Sequence, residues 1–388
     1  MRQTLERHLH EKIVPFWNRL VDREHGGFYG YVGLDLALDA TADKGAVKMA
    51  RILWSYAALE NAYPNDGHLM YAETAYEYIV SKLWDDVDGG VFWKTAYDGR
   101  VINDAKHVYA HSFMIYALAE LYLATRRQDV LDRALALFAL LEEKAYDADT
   151  GAYWEQFDRR WQKAPNTFLA IGECVPVYTT NAVIHLIEAY TTLYRASREP
   201  DVKTRLSTLL SCFYERIYCS RQKGCGVLFD RHWNSLLDSV SFGHDIEASW
   251  LIDEALDVLR IENGPYAAMT KEMAQRCFKR SYRDGRIISE RTNGKDDEAM
   301  IWWVQTEAIV GFYNLFEKTK KRRYLRASMR TIEKTLTHIA DAREGGEWFW
   351  SVDKKGVPHE DRGISENWKA NYHNVRACLE IIKRGSQT

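Results

Sequence analysis

Gly26-Gly27-Phe28-Tyr29-Gly30 returns with variations four more times along the chain, as Gly89-Gly90-Val91-Phe92-Trp93, Gly151-Ala152-Tyr153-Trp154, Gly224-Cys225-Gly226-Val227-Leu228-Phe229 and Gly345-Gly346-Glu347-Trp348-Phe349-Trp350. Each copy joins the two members of a pair of amphipathic helical stretches. A degenerate sixth, Asp284-Gly285-Arg286, falls where a period of roughly sixty residues puts it. The chain is an internal repeat of six helix pairs.

Apolar residues at helical spacing predict twelve helices, near 2–21, 47–63, 67–84, 104–127, 128–143, 178–196, 200–218, 245–260, 263–281, 298–318, 321–340 and 366–384. The odd-numbered helices carry a single apolar stripe: Ala72, Ala75, Tyr76, Ile79 and Leu83 share a face, with Glu73, Glu77 and Lys82 off it. The even-numbered ones are apolar over more of their circumference, as in Val108, Phe113, Ile115, Tyr116, Leu118 and Ala119, which is what a helix covered on both sides requires. Six inner helices ringed by six outer ones make an all-α fold, an (α/α)6 barrel occupying 1–388 as one domain. Links from even to odd helices are short, such as Tyr63-Pro64-Asn65-Asp66-Gly67, whereas links from odd to even are long and carry the Gly-aromatic segments as short β-hairpins. Long loops rich in rings and polar groups at one mouth are where a site is expected, at the N-terminal ends of the even helices.

Composition narrows the function. A formal net charge of −3 with interspersed Lys, Arg, Asp and Glu offers no basic stripe for nucleic acid or anionic membrane. No apolar run approaches the ~18 residues of a membrane span, and Met1-Arg2-Gln3-Thr4-Leu5-Glu6-Arg7-His8 lacks a signal-peptide core, so a cytoplasmic protein is expected. The six cysteines show no CxxC spacing and suit free thiols in a reducing compartment. The expected assembly is a monomer, with a homodimer as the alternative. Thirteen Trp and twenty-three Tyr exceed ordinary usage, and many sit in the Gly-rich loops, where rings beside polar groups suit a sugar cleft.

The polar residues at that end of the inner helices form a concentrated set. Arg51 interrupts the apolar run Lys48-Met49-Ala50-Arg51-Ile52-Leu53-Trp54, either facing a ligand or pairing with a buried acid. His107 and His111 lie at i,i+4 but lack the glutamate of an HExxH metal motif, and read as hydrogen-bonded structural histidines. Asn181 and His185 share a face of the third inner helix. His244, Glu247 and Trp250 follow at steps of three on the fourth, Trp303 and Glu307 at i,i+4 on the fifth, and the sixth opens with Trp368-Lys369-Ala370-Asn371-Tyr372-His373-Asn374.

Two imidazoles across one pocket can take a proton from one face of a carbon α to a carbonyl and return one to the other, near neutral pH where both forms are within reach. Glu247 beside His244 and Glu307 beside His373 would fix tautomers, and Arg51 would stabilise an enediolate oxygen. Three other readings remain open at this level. Glu247 and Glu307 could be the acid and base of a glycoside hydrolase, although such an enzyme has no need of the histidines. His185, His244 and His373 could hold zinc, without any ligand spacing to support it. A partner-binding scaffold is the third, but a closed ring leaves a pocket rather than an open concave face.

The segments Gly26-Gly27-Phe28-Tyr29-Gly30-Tyr31, Arg51-Ile52-Leu53-Trp54, Lys106-His107-Val108-Tyr109, 181–190 (NAVIHLIEAY), 243–250 (GHDIEASW), 302–308 (WWVQTEA) and 368–374 (WKANYHN) resemble, in order along the whole chain, the cellobiose 2-epimerases of the N-acylglucosamine 2-epimerase superfamily. The resemblance implies the same barrel, and interconversion of glucose-type and mannose-type reducing ends with no cofactor and no metal. It implies His244 and His373 as the acid/base pair and His185 in ring opening or sugar contact. Arg51, Tyr109, Asn181, Glu247, Trp250, Trp303, Glu307 and Trp368 are implied as supporting or binding residues. The family usually reads Pro-Trp-Lys-Cys-Pro-Tyr-His where this chain has Asn367-Trp368-Lys369-Ala370-Asn371-Tyr372-His373, and the stretch 168–180 is also unusual. Both are expected at the place of a second sugar ring, which keeps a mannose 2-epimerase or mannose–fructose isomerase as the alternative.

Overall fold

In the computed structural model, which describes residues 2–385, twelve helices alternate between two concentric rings. The inner ring is Ala46–Ala62, Val108–Thr125, Thr180–Ser197, Phe242–Leu259, Trp302–Thr319 and Tyr372–Arg384. Each inner helix packs on the next, and the sixth on the first, so the ring closes. Their burial follows from being covered twice. Every residue from 46 to 59 is buried in the first inner helix, whereas the outer helix Gln128–Lys144 buries only the stripe Val130, Leu131, Ala134, Leu137, Phe138 and Leu141.

The helix boundaries differ from expectation mainly at the loop mouth. The second, fifth and sixth inner helices begin at Val108, Trp302 and Tyr372 rather than near 104, 298 and 366, because the preceding residues are held extended by strand pairing or bridges. Four outer helices contain a π turn, at Leu9–Ile13, Ile79–Leu83, Phe213–Ile217 and Thr335–Ile339, which apolar periodicity does not reveal.

The hairpins do more than decorate the mouth. The strand entering each of the first five inner helices pairs antiparallel with a strand in the next repeat's loop: Lys44–Gly45 with Lys94–Thr95, Lys106–His107 with Gln156–Phe157, Tyr178–Thr179 with Leu228–Phe229, Ser239–Ser241 with Glu290–Thr292, and Met300–Ile301 with Ser351–Val352. A bridge between Val32 and Ser365 joins the last repeat to the first, so a belt of strands closes round the mouth.

A polar tie, buried in the first two and half-buried in the third, anchors three of these joints. Asp22, Asp85 and Asp147 each accept the N–H of the glycine four residues on through their carbonyls, and Gly26, Gly89 and Gly151 take the left-handed conformation that turn demands. Their carboxylates accept from Lys44 Nζ (2.7 Å), Lys106 Nζ (2.7 Å) and Tyr178 Oη (3.0 Å), the residue two positions before each inner helix. All six cysteines are free thiols. No helix among the described residues is long and apolar enough to cross a membrane.

Candidate active site

The belt surrounds a cavity of about 350 Å³ floored by the N-terminal turns of the inner helices. The first inner helix contributes Arg51, the second Tyr109, the third Asn181 and His185, and the fourth His244 and Glu247. The fifth contributes Trp303 and the sixth His373, with Trp368 from the loop before it. Residues 168–171 and Trp350 complete the rim. Glu307 and Trp250 stand outside this wall. Glu307 lies behind His373, and Trp250 donates from Nε1 to Glu307 Oε2 (2.9 Å) while facing a second cavity at the opposite end of the barrel. Asn371 is buried at the start of the sixth inner helix and does not line the cavity, although Trp368 and His373 of the same unusual stretch do, as do 168–171 and Thr179 of the other.

Under the floor sits Arg376, only 2% exposed. Its Nη1 donates to Glu188 Oε1 and meets the Tyr372 hydroxyl, and its Nη2 donates to Glu247 Oε1 (2.8 Å) and Glu307 Oε1 (2.7 Å). One guanidinium thus serves three carboxyl groups. Burial alone would raise Glu307, but Arg376 and the hydrogen bond from His373 hold it down at about 2. Glu247 goes the other way, pushed well above the carboxylate range by burial and then by the charge on Glu307. Of this pair Glu307 carries the charge and Glu247 the proton, which makes Glu247 a hydrogen-bond donor in the cavity wall. Glu247, Glu307 and His373 are close enough to share a cation, and the Arg376 guanidinium bonded to both carboxyl groups puts positive charge there.

The two histidines are prepared differently. His373 Nδ1 lies 2.7 Å from Glu307 Oε1, and an ionised carboxylate only accepts, so Nδ1 carries the proton and Nε2 is left as a base. His244 Nδ1 lies 2.7 Å from the Ser241 hydroxyl, which caps the fourth inner helix and can either donate or accept, so His244 is free to use either tautomer. The expected Glu247–His244 partnership is replaced by this one, because Glu247 is turned to Arg376. Burial takes His373 down to about 3 against the pull of Glu307, and takes His244, with His185 close by, down to about 4. Both are therefore neutral, rather than poised between forms near pH 7. Both also pack on one ring, with Trp303 at 5.0 Å from His244 and 5.8 Å from His373 between centroids.

Arg51 resolves its two readings by its partners. It donates to the Trp368 carbonyl (2.7 Å) and to Tyr109 Oη (2.9 Å) and lies over the Phe113 ring, but among the described residues no carboxylate forms a salt bridge with it. A buried cation without an anion is ready for one that develops in a substrate. His185 is tied at Nδ1 to Glu188 Oε2 (2.9 Å) and packs edge-on against Tyr109.

The model of the N-acylglucosamine 2-epimerase family matches residues 27–377. A cellobiose 2-epimerase from Dictyoglomus turgidum is 36% identical over 388 residues, spanning 99% of this chain and 98% of its own. The structure of a cellobiose 2-epimerase from Bacillus thermoamylovorans superposes with a TM-score of 0.96 at 40% identity, covering 99% of both chains. The chain belongs to the N-acylglucosamine 2-epimerase family. It is a carbohydrate 2-epimerase with the (α/α)6 barrel of that family. A D-mannose isomerase from Marinomonas mediterranea is similar at the lower level of 21% identity over 98% of this chain and 96% of its own.

Sequence reading overlooked Glu188, Tyr372 and Arg376 in this epimerase. Their signal was present as i,i+3 pairs, His185 with Glu188 and His373 with Arg376, which place a charged group one turn below each imidazole. It also overlooked Gly243. A Cβ there would lie 2.5 Å from Trp303 Cη2 and 2.9 Å from Val304 Cγ2. Gly243→Ala is therefore expected to cost about 1–3 kcal/mol through overpacking. By driving Trp303 off both imidazoles it should lower kcat/KM about tenfold. Steady-state kinetics beside thermal melts check this, and unchanged turnover would show that the ring is not needed where it stands.

Proposed function

We propose that this enzyme epimerises C2 of the reducing glucose unit in β-1,4-linked disaccharides such as cellobiose or lactose, through an enediolate formed between His244 and His373. The observation that carries the reading is the pairing of two neutral imidazoles with one unpaired guanidinium in the wall of a single cavity. From the open-chain aldehyde one imidazole takes the C2 proton, and the C–H electron pair becomes the C1=C2 bond while O1 gains the negative charge. Arg51 and the protonated Glu247 are the donors available to that oxygen. The second imidazole gives its N–H proton to the opposite face of C2 as the C1 carbonyl re-forms and takes a replacement from water at the open mouth, while the first imidazolium returns the abstracted proton to the same solvent, leaving both neutral. The alternative on monosaccharides uses the same enediolate, with protonation at C2 giving the epimer of a mannose 2-epimerase or at C1 the ketose of a mannose–fructose isomerase. A disaccharide is favoured by the rim, where Trp350, Trp368 and Phe168 offer rings to a second sugar beside an open mouth. A hydrolase reading fits poorly, since Glu307 stands behind His373 outside the cavity wall and both carboxyl groups are turned to Arg376 rather than astride a scissile bond.

Turnover of cellobiose, lactose, mannose, glucose and fructose in deuterated water tests both halves of the reading. Deuterium at C2 of the product epimer is expected, with cellobiose the better substrate. Epimer without solvent isotope would defeat the proton-transfer route, and mannose turned over far better than cellobiose would move the assignment to the monosaccharide.

A further inference from the structure

Glu155 lies outside the cavity wall and takes no part in the proton transfers, yet it is buried against the N-terminal ends of two inner helices. Its Oε1 accepts the Thr179 N–H (2.5 Å), and its Oε2 accepts the Thr179 hydroxyl (3.1 Å) and Asn166 Nδ2 (2.6 Å). No salt bridge reaches it among the described residues, and burial pushes its carboxyl up while the Thr179 and Asn166 donors pull it back, so these donors are its whole compensation. A group this costly to bury is held for what it orders.

We propose that Glu155 is a positioning residue that sets the sense of a hydrogen-bond relay running to the N-cap of the second inner helix, whose first turn carries the Tyr109 partner of Arg51, and pins the second and third inner helices and the 166–171 segment around the sugar. The inference rests on the reading of this cavity as the sugar site. The relay follows from what each group can do. Asn166 Nδ2 donates to Glu155 Oε2, which commits the amide nitrogen to Glu155 and leaves Asn166 Oδ1 to accept from His107 Nε2 (2.9 Å). His107 must then keep its Nδ1 lone pair, and with it caps the second inner helix at the Tyr109 N–H (3.1 Å). Tyr109 Oη is the acceptor for Arg51 Nη2. On the other side Thr179 caps the third inner helix, which bears Asn181 and His185, at the Ala182 N–H (3.0 Å). Phe168, two residues after Asn166, stacks on Trp93 (4.3 Å) and His107 (5.7 Å) and forms part of the rim.

The polarity of the relay can be broken and then repaired. Glu155→Gln puts an amide NH2 where an acceptor stood. If that NH2 faces Asn166, the Asn166 amide flips, its NH2 meets His107 Nε2, and the displaced proton on Nδ1 meets the Tyr109 N–H. Asn166→Asp alone sets a second carboxylate against Glu155. When Glu155→Gln and Asn166→Asp are combined, the introduced amide donates to the introduced carboxylate, which still accepts from His107, so the acceptor that fixes the His107 tautomer is restored. KM for the sugar is expected to rise about tenfold or more in each single variant, with kcat changed less than about threefold, and to return to within about threefold of the wild type in the double variant. Melting temperature should follow the same loss and recovery. Recovery in melting with no change of KM in any variant would reduce Glu155 to a structural role and overturn the proposal. So would a double variant no better than the worse single. A wild-type enzyme that turned over no sugar would instead fail the functional reading, while the melting pattern still reported on the relay.

Discussion

His373→Asn is expected to abolish epimerisation almost completely, lowering kcat/KM by about 10²–10⁴ while the barrel stays folded, and His244→Asn should do the same. The two losses arise differently. His373 is held by ionised Glu307 with Nε2 as its free base, whereas His244 owes its freedom of tautomer to Ser241. Ser241→Ala should therefore weaken catalysis less than Glu307→Gln, which removes the charge that orients His373. The pH dependence carries a further check. With His244 at about 4 and His373 at about 3, both imidazoles remain neutral as pH falls through the ordinary histidine value of 6.5. The acid limb of kcat/KM should then lie near pH 4. Stability has the matching sign: between pH 6.5 and the depressed folded values the unfolded chain binds more protons. The contribution of these histidines is thus complete above pH 6.5 and is lost as pH falls toward 4 and then 3. An acid limb near 6.5 would show that the imidazoles titrate as if solvated and would remove the neutral pair on which the mechanism rests.

Arg376→Met is expected to give the largest loss of stability of any single change in the site. Removing the guanidinium leaves Glu188, Glu247 and Glu307 buried round an apolar group, and stripping one partner from a buried ionic cluster costs about 3–5 kcal/mol. Glu307 is held at about 2 by Arg376 and His373 together, so without Arg376 its carboxyl should rise and its hold on the His373 tautomer weaken. The urea midpoint should fall and kcat should drop with it. Arg376→Lys keeps the charge but cannot span carboxyl groups on three helices from a planar fork, and should recover part of the stability and little of the activity. A midpoint unchanged in Arg376→Met would mean that the carboxyl groups relieve one another by protonation.

Much of this was written in the order of residues. Repeated Gly-aromatic loops every sixty residues or so, joining stripes to all-round apolar helices, determine the ring and say which mouth bears the loops, because a helix covered on both sides cannot afford a polar face. Helical spacing likewise determined which polar groups share a side: Asn181 with His185, His244 with Glu247, Trp303 with Glu307. Spacing says nothing of depth. Trp250 lies on the same side as His244 but six residues further along, about 9 Å at 1.5 Å per residue, and that places it below the floor that Arg376 and Tyr372 lay from another helix. Glu307 falls behind His373 for the same reason, one turn beneath Trp303. The sharing of one guanidinium among Glu188, Glu247 and Glu307 and the relay from Glu155 through Asn166 to His107 join residues far apart in the chain. Only the closed ring brings such groups within hydrogen-bond reach, and their protonation then depends on burial that no local pattern encodes.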